Sequence, residues 1–342
     1  TDPEKLAEST NGHSKEENID TIPSEYEYGG PIPRILLEDP EYQNANVIDA
    51  VETSSTPTTT DTTRPLKERV SGALVNVYCT LDTEEKRRAT TGSGVMIDPR
   101  GVILTNAHVA QFLLLEERNE KRTTSCTIRG GDPAIPKYEA ELLYIPPTWV
   151  VNNAELVDAK EAAGTGERDY ALLYVSKALD GALPRSFPSL DINTDLLGKR
   201  LKERELYAGG YPAEILLDKG PDAALTPRVD VTEVTNLYTF GSGHADLIAI
   251  GDSTVGEQGS SGGPVVTDDG SVIGLIVTRG DQSKDGTRSL RALTLSYIDR
   301  TIKEETGFDL EKTMSGDISH RGKVFKEALA PFLSDTLNGE LD

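Results

Sequence analysis

Thr91-Gly92-Ser93-Gly94-Val95-Met96-Ile97-Asp98-Pro99-Arg100-Gly101-Val102-Ile103-Leu104-Thr105-Asn106-Ala107-His108-Val109 is the stretch on which the fold turns. Two short apolar runs, 92–97 and 101–105, flank a Pro-Arg-Gly turn, which is the pattern of a β-hairpin. The second run ends at a histidine. An imidazole at a strand end is exposed and rigidly placed, and an ordinary pKa near ~6.5 lets it take a proton from a hydroxyl and return it to a leaving group. The other histidines lack such a setting: His13 lies in an acidic arm, His244 in a Gly/Ser loop and His320 in a polar tail. Each reads as a solvated surface side chain.

The same texture continues on both sides of the hairpin. Runs rich in Val, Ile, Leu and Tyr, separated by Gly, Pro, Asp and Asn, predict strands at 73–81, 92–97, 101–105, 125–128, 138–144 and 170–175. A second series falls at 205–208, 229–238, 247–251, 263–266, 272–278 and 290–293. Helices are expected only at 111–121, 297–306 and 323–333. The lack of regular alternation of strand and helix argues against a doubly wound parallel sheet and for an all-β chain of antiparallel barrels or sandwiches.

The chain has 342 residues, 35 basic and 57 acidic side chains and a formal charge of -22. Length allows one large or two medium folded units with a substantial core. The charge repels phosphate backbones and anionic lipid heads, so no nucleic-acid partner is expected. Four His and two Cys, with no His pair at zinc-site spacing, argue against a metal site, with carboxylate-bound calcium as the alternative. No stretch approaches the ~18 uninterrupted apolar residues of a membrane helix, so no membrane-spanning segment is expected in this chain. Nothing in the sequence sets an oligomeric state.

Residues 1–64 carry fourteen acidic and four basic side chains and end in a tract, 53–63, with nine Ser or Thr in eleven positions. This acidic, Ser/Thr/Pro-rich arm and linker buries too little to fold. Its apolar island Pro31-Ile32-Pro33-Arg34-Ile35-Leu36-Leu37 is read as incidental hydrophobicity, with docking on the folded body as the alternative.

Gly259-Ser260-Ser261-Gly262-Gly263-Pro264 carries the chemistry. A serine hydroxyl needs a base to become a nucleophile, and the anion it creates needs backbone N–H donors close by. Glycines on both sides of Ser261 permit such a nest; a plain glycine-rich hairpin has the same composition. Glu167-Arg168-Asp169-Tyr170-Ala171-Leu172-Leu173-Tyr174-Val175 adds a carboxylate, Asp169, just ahead of an apolar strand, where it could orient an imidazole. Taken singly, it is an ordinary acid at a strand start.

Together the TGSGV and LTNAHV hairpin, the Asp-Tyr-Ala-Leu-Leu strand, Gly210-Tyr211-Pro212 and the Gly-Ser-Ser-Gly-Gly-Pro turn resemble the trypsin-like (chymotrypsin-fold) serine endopeptidases, and most closely their bacterial HtrA-like branch. The likeness runs from about Val70 to Ile302. It implies two six-stranded antiparallel barrels, 65–182 with His108 and Asp169 and 183–306 with Ser261, followed by a helical tail at 307–342. It also implies polypeptide substrates, no cofactor, Ser261 as nucleophile, His108 as general base and acid, and Asp169 as orienting acid. The oxyanion hole would be the Gly259 and Ser261 amides, with Ser260 between them. Val255, Gly256, Gln258, Val277, Thr278 and Arg279 would wall the primary pocket. Val255 at its base favours small or medium apolar side chains, while Arg279 at the rim could instead favour acidic neighbours.

Ser260 stands where activated digestive proteases carry an acid and the bacterial branch usually Asn, so the acid-based activation switch is not expected. The segment 145–166 is long and could shape access at the cleft rim or merely decorate the surface. The tail is too short for the PDZ domain of many HtrA-like enzymes, and its apolar positions Val324, Phe325, Ala328, Leu329 and Leu333 have helical spacing that suits packing on the body. In the family topology the strands holding Cys79 and Cys126 are neighbours, so a disulfide is possible, with two separate buried thiols as the alternative. A disulfide and the Thr-rich linker favour a secreted, periplasmic or cell-surface protein whose signal or anchor lies before Thr1.

Two rivals share parts of the pattern. Gly259-x-Ser261-x-Gly263 fits the nucleophile elbow of α/β-hydrolase esterases, which demands a downstream acid and histidine and a strand-to-helix turn. Only His320 follows, and Pro264-Val265-Val266 looks like another strand. Gly251-Asp252-Ser253 imitates another esterase signature but suits a turn. The second rival is a catalytically silent scaffold of the same fold that docks partners through the arm or the tail.

Overall fold

The computed structural model describes residues 34–36, 64–83, 87–116, 122–159, 165–213, 215–216, 223–251, 253, 255, 259–282 and 288–341. The described chain starts with a two-residue strand, β1 (Arg34–Ile35), and a helix, α1 (Leu66–Ala73). Six strands follow: β2 (Leu74–Thr83), β3 (Arg87–Asp98), β4 (Val102–Thr105), β5 (Arg122–Gly130), β6 (Ile135–Tyr144) and β7 (Ala171–Ala178). They close into an antiparallel barrel in the order β2-β3-β4-β7-β6-β5. Alternation builds it: along β5 every second residue is buried, from Arg122 through Thr124, Cys126 and Ile128 to Gly130.

The hairpin that decided the fold is β3 and β4. Asp98 closes its turn, accepting from the Arg100 amide at 2.8 Å through its side chain and from the Gly101 amide at 2.9 Å through its carbonyl. Gly101 sits at φ +94°, and a Cβ there would lie 2.8 Å from the Phe187 ring, so the turn requires glycine for both conformation and space. Cys79 and Cys126 are directly opposed on β2 and β5 and are joined as a disulfide.

The second unit holds β8 (Leu206–Gly210), β9 (Arg228–Thr232), β10 (Val234–Thr239), β11 (Leu247–Ile250), β12 (Pro264–Thr267), β13 (Val272–Gln282) and β14 (Arg288–Thr294). With β1 they form one sheet ordered β1-β10-β11-β14-β13-β12-β8-β9. The run expected at 229–238 is therefore two strands, which join at Glu233 yet lie near opposite ends of the sheet. The sheet curls into a half-barrel to bring them together, and the Gly251 amide bonds the Glu233 carbonyl at 2.9 Å, which extends the β10–β11 pairing to the junction. The two-barrel, mostly β architecture expected from the sequence is present. It differs in that the second unit is open and has eight strands.

The eighth strand comes from the arm. Arg34 and Ile35 pair with Thr239 and Tyr238, and Leu36, 1% exposed, joins Leu197, Leu201, Val234 and Leu237 in the second core. This corrects the reading of the island as incidental hydrophobicity: an edge strand offers unpaired backbone groups and a neighbouring apolar hole, and the island fills both. Residues 1–33 and 37–63 of the arm lie outside the described residues.

Helices are α2 (Ala107–Ala110), α3 (Pro147–Asn152), α4 (Leu295–Thr306), α5 (Leu310–Met314), α6 (Ile318–Ala328) and α7 (Ala330–Leu341). The helix expected at 111–121 is a 3-10 turn over Gln111–Leu115, and 117–121 lie outside the described residues. The long segment 145–166 folds into α3 and a 3-10 turn at Ala154–Val157, with 160–164 outside the description. Thr294 caps α4, and Gly307, left-handed at φ +80°, ends it. The tail helix is broken at Leu329, because Pro331 has no N–H and fits only a first helical turn. Phe325 and Leu333 pack on the first barrel as expected, whereas Val324, Ala328 and Leu329 face solvent. Gly322 takes the inner face instead, since a Cβ there would lie 2.3 Å from the Tyr174 ring. Among the described residues no helix is long and apolar enough to cross a membrane.

Candidate active site

His108 lies in the first turn of α2, immediately after β4 has emerged from the barrel. Asp169 precedes β7, the strand paired with β4, so the register that sets Thr105 opposite Ala171 also brings the two side chains together. The Asp169 carboxylate bonds His108 twice, accepting from its backbone amide at 3.0 Å and meeting ring Nδ1 at 2.7 Å. Asp169 is 5% exposed. A buried carboxylate on Nδ1 selects the tautomer that carries the proton there, which leaves Nε2 as the acceptor. Asn106, fully buried, donates to the Asp169 carbonyl at 2.8 Å and fixes the backbone of that acid as well.

Ser261 sits in a turn between two left-handed glycines, Gly259 at φ +95° and Gly262 at φ +88°. The turn is pinned to the first barrel by Ser93 of β3. The Ser93 amide donates to the Ser261 carbonyl at 2.7 Å, and its hydroxyl donates to the Gly259 carbonyl at 2.8 Å while accepting from the Tyr211 amide at 2.8 Å. Thr105, three residues before His108, donates to the Ser93 carbonyl at 2.7 Å. A Cβ on Gly262 would lie 2.0 Å from that carbonyl, so the close approach of the two units at this point requires glycine. Among the described residues no carbonyl accepts from the Gly259 or Ser261 amide. Amide donors that no described carbonyl takes, in a glycine-flanked turn, suit an oxyanion.

The family model of the trypsin-like peptidase domain matches residues 92–275, more than half of the chain. The chain belongs to the trypsin-like peptidase family. No curated protein matches it significantly. Membership supports a peptidase acting on polypeptides, and the matched span contains His108, Asp169 and Ser261.

The remaining residues singled out in the sequence fall as follows in this trypsin-like chain. Ser260 is buried at 1% exposure, and its hydroxyl has no hydrogen-bond partner among the described residues. Val255 is fully buried in the second core, and Val277, 3% exposed, lies against Gly166 just ahead of Asp169. Gly256 and Gln258 lie outside the described residues. Thr278 and Arg279 are within β13, paired with Arg291 and Leu290. Ser253 makes a turn, accepting from the Val255 amide at 3.0 Å and bonding Asp230 at 3.1 Å. Pro264 starts a strand, so the strand-to-helix setting of an esterase elbow is missing. His320 is exposed on α6, away from any such arrangement.

Ser93, Thr105, Asn106 and Arg168 were not singled out by sequence reasoning. The first three lie inside the hairpin motif, but none is titratable; Ser93 and Asn106 find their partners in segments far along the chain, and Thr105 finds its own in Ser93 across the hairpin. The one local signal was the placing of Ser93 between two glycines.

Proposed function

We propose that the protein is a serine endopeptidase in which Ser261 attacks the scissile carbonyl to form an acyl-enzyme. His108 Nε2 takes the Ser261 proton and delivers it to the leaving amine, and Asp169 holds the ring and stabilises the imidazolium. The Gly259 and Ser261 amides, on either side of Ser260, receive the developing oxyanion. The observation that carries this reading is the pair of hydrogen bonds that a buried carboxylate makes with the backbone amide and the ring of His108, at 3.0 and 2.7 Å. A surface histidine has no use for such a grip, which fixes both tautomer and orientation.

Val255, six residues before Ser261, supports cleavage after small or medium apolar residues, since no carboxylate stands there to meet Lys or Arg. The motif set supports placement in the bacterial HtrA-like branch, and the Cys79–Cys126 disulfide supports an extracytoplasmic location. Replacing Ser261 with Ala tests the core of the proposal. Turnover of a peptide substrate is expected to fall at least ~10³-fold, with a residue of rate left by the oxyanion hole. Cleavage at the wild-type rate by that variant would remove Ser261 from the mechanism.

A further inference from the structure

Arg168, immediately before Asp169, is the only non-glycine among the described residues with a left-handed backbone, at φ +56°. An L-residue with a long side chain adopts that conformation only where its surroundings hold it there. The turn is tight: the Asp169 amide bonds the Gly166 carbonyl at 3.1 Å, and the Tyr170 amide bonds the Arg168 carbonyl at 2.9 Å. What holds it comes from the end of α4. The Arg168 guanidinium donates to Glu305 at 2.9 Å and to Glu304 at 3.0 Å. Tyr170, on the other side of Asp169, shares a hydrogen bond of 2.8 Å between its hydroxyl and that of Thr301, and Tyr144 donates to the second Glu305 oxygen at 2.6 Å. Both neighbours of Asp169 are therefore fastened to one helix.

That helix belongs to the second unit. It continues from β14, and immediately before Thr301 its Arg300 pairs with Asp246, whose side chain is fully buried in the β10–β11 connection. So α4 runs out of the half-barrel at its start, is tied to it again by Arg300, and grips the Asp169 turn of the closed barrel through Thr301 and Glu305. Of the two carboxylates on Arg168, Glu304 is 60% exposed and screened by solvent, whereas Glu305 is 16% exposed and held by Tyr144 as well. Glu305 is the partner that can fix a geometry.

We infer that Arg168 is a positioning residue whose pairing with Glu305 of α4 locks the left-handed turn that aims the Asp169 carboxylate at His108. The inference rests on the triad reading above. Asp169 touches the imidazole; Arg168 acts through Asp169 by setting the backbone from which that carboxylate projects. A misplacement of a triad member by about 1 Å can cost 10²-fold in rate without touching the substrate pocket.

The test uses Arg168→Met, which keeps the stem and removes the charge, and Glu305→Gln, which keeps shape and removes only the partner's charge. Each is assayed on a peptide substrate across pH beside the wild type and Ser261→Ala. Both variants are expected to lose about ten- to a hundredfold in kcat with KM within twofold. The acid limb of the kcat/KM profile should move to lower pH, because an imidazolium that loses its carboxylate is easier to deprotonate. Glu305→Gln also keeps the test decisive should Arg168→Met fail to fold. Wild-type kcat and an unmoved acid limb in the folded variants would overturn the inference, as would a loss confined to melting temperature or KM. If instead Ser261→Ala cleaves as fast as wild type, the underlying triad reading fails, whatever Arg168 does.

Discussion

A buried hydroxyl that donates and accepts at once has no water to replace either partner, so its removal strands two backbone groups. Ser93 is such a residue, fully buried, with the Gly259 carbonyl on one side and the Tyr211 amide on the other. Its own amide holds the Ser261 carbonyl. Ser93→Ala is expected to cost ~1–3 kcal/mol of stability through these orphaned groups. Because Gly259 is also released, kcat should fall more than KM rises. Urea denaturation with parallel kinetics checks both, and wild-type stability with wild-type kcat would show that Ser93 is not the tie between the units. The roles of Ser93, Asn106 and Arg168 were hidden in the sequence for a common reason: each is defined by a partner more than fifty residues away, and neither hydroxyl, amide nor backbone angle leaves a periodic trace.

Elements built from local pattern were legible in the sequence, and elements that depend on distant pairing were not. The 92–97 and 101–105 strands and their turn follow from alternation and from Asp-Pro-Arg-Gly chemistry that acts within a few residues. The split of 229–238 at Glu233 depends on where the sheet must curl, and the addition of β1 depends on an unfilled edge at β10, so neither shows in its own stretch. Leu36 gives a direct check on β1. As a side chain buried to 1%, its change to Ala is expected to cost ~2–5 kcal/mol, read as a lower melting temperature. An unchanged melting temperature would return the island to incidental hydrophobicity.

A second check at this scale concerns the contact between the first barrel and the tail helices. Burial pushes the Glu116 carboxyl up to about 7, against the Cys126 amide and Lys326, which favour its charged form, while nearby Glu139 and Glu141 add to the rise. A carboxyl whose folded value lies above its unfolded one contributes stability below the ordinary carboxylate range and loses it as pH rises through about 7. Part of this side chain still meets solvent, so the effect should be modest. The wild type is expected to lose more melting temperature than Glu116→Gln between pH 5 and pH 8, and identical slopes would contradict the assignment.

At the scale of the whole molecule, a closed barrel supplies His108 and Asp169, a curled half-barrel supplies Ser261, and the seam between them is held by Ser93 on one face and α4 on another. On the proposed triad, the division of its members between two units explains why three short motifs so far apart in sequence could announce one site, while the pocket that would choose the substrate left a weaker mark. The measurement that bears most directly on this arrangement is covalent labelling with a fluorophosphonate, which reacts only with an activated hydroxyl, followed by peptide mass spectrometry of the adduct. The adduct is expected on Ser261 alone, with labelling lost in His108→Ala. An adduct on Ser253 or Ser260, or labelling of Ser261 at an undiminished rate without His108, would contradict it.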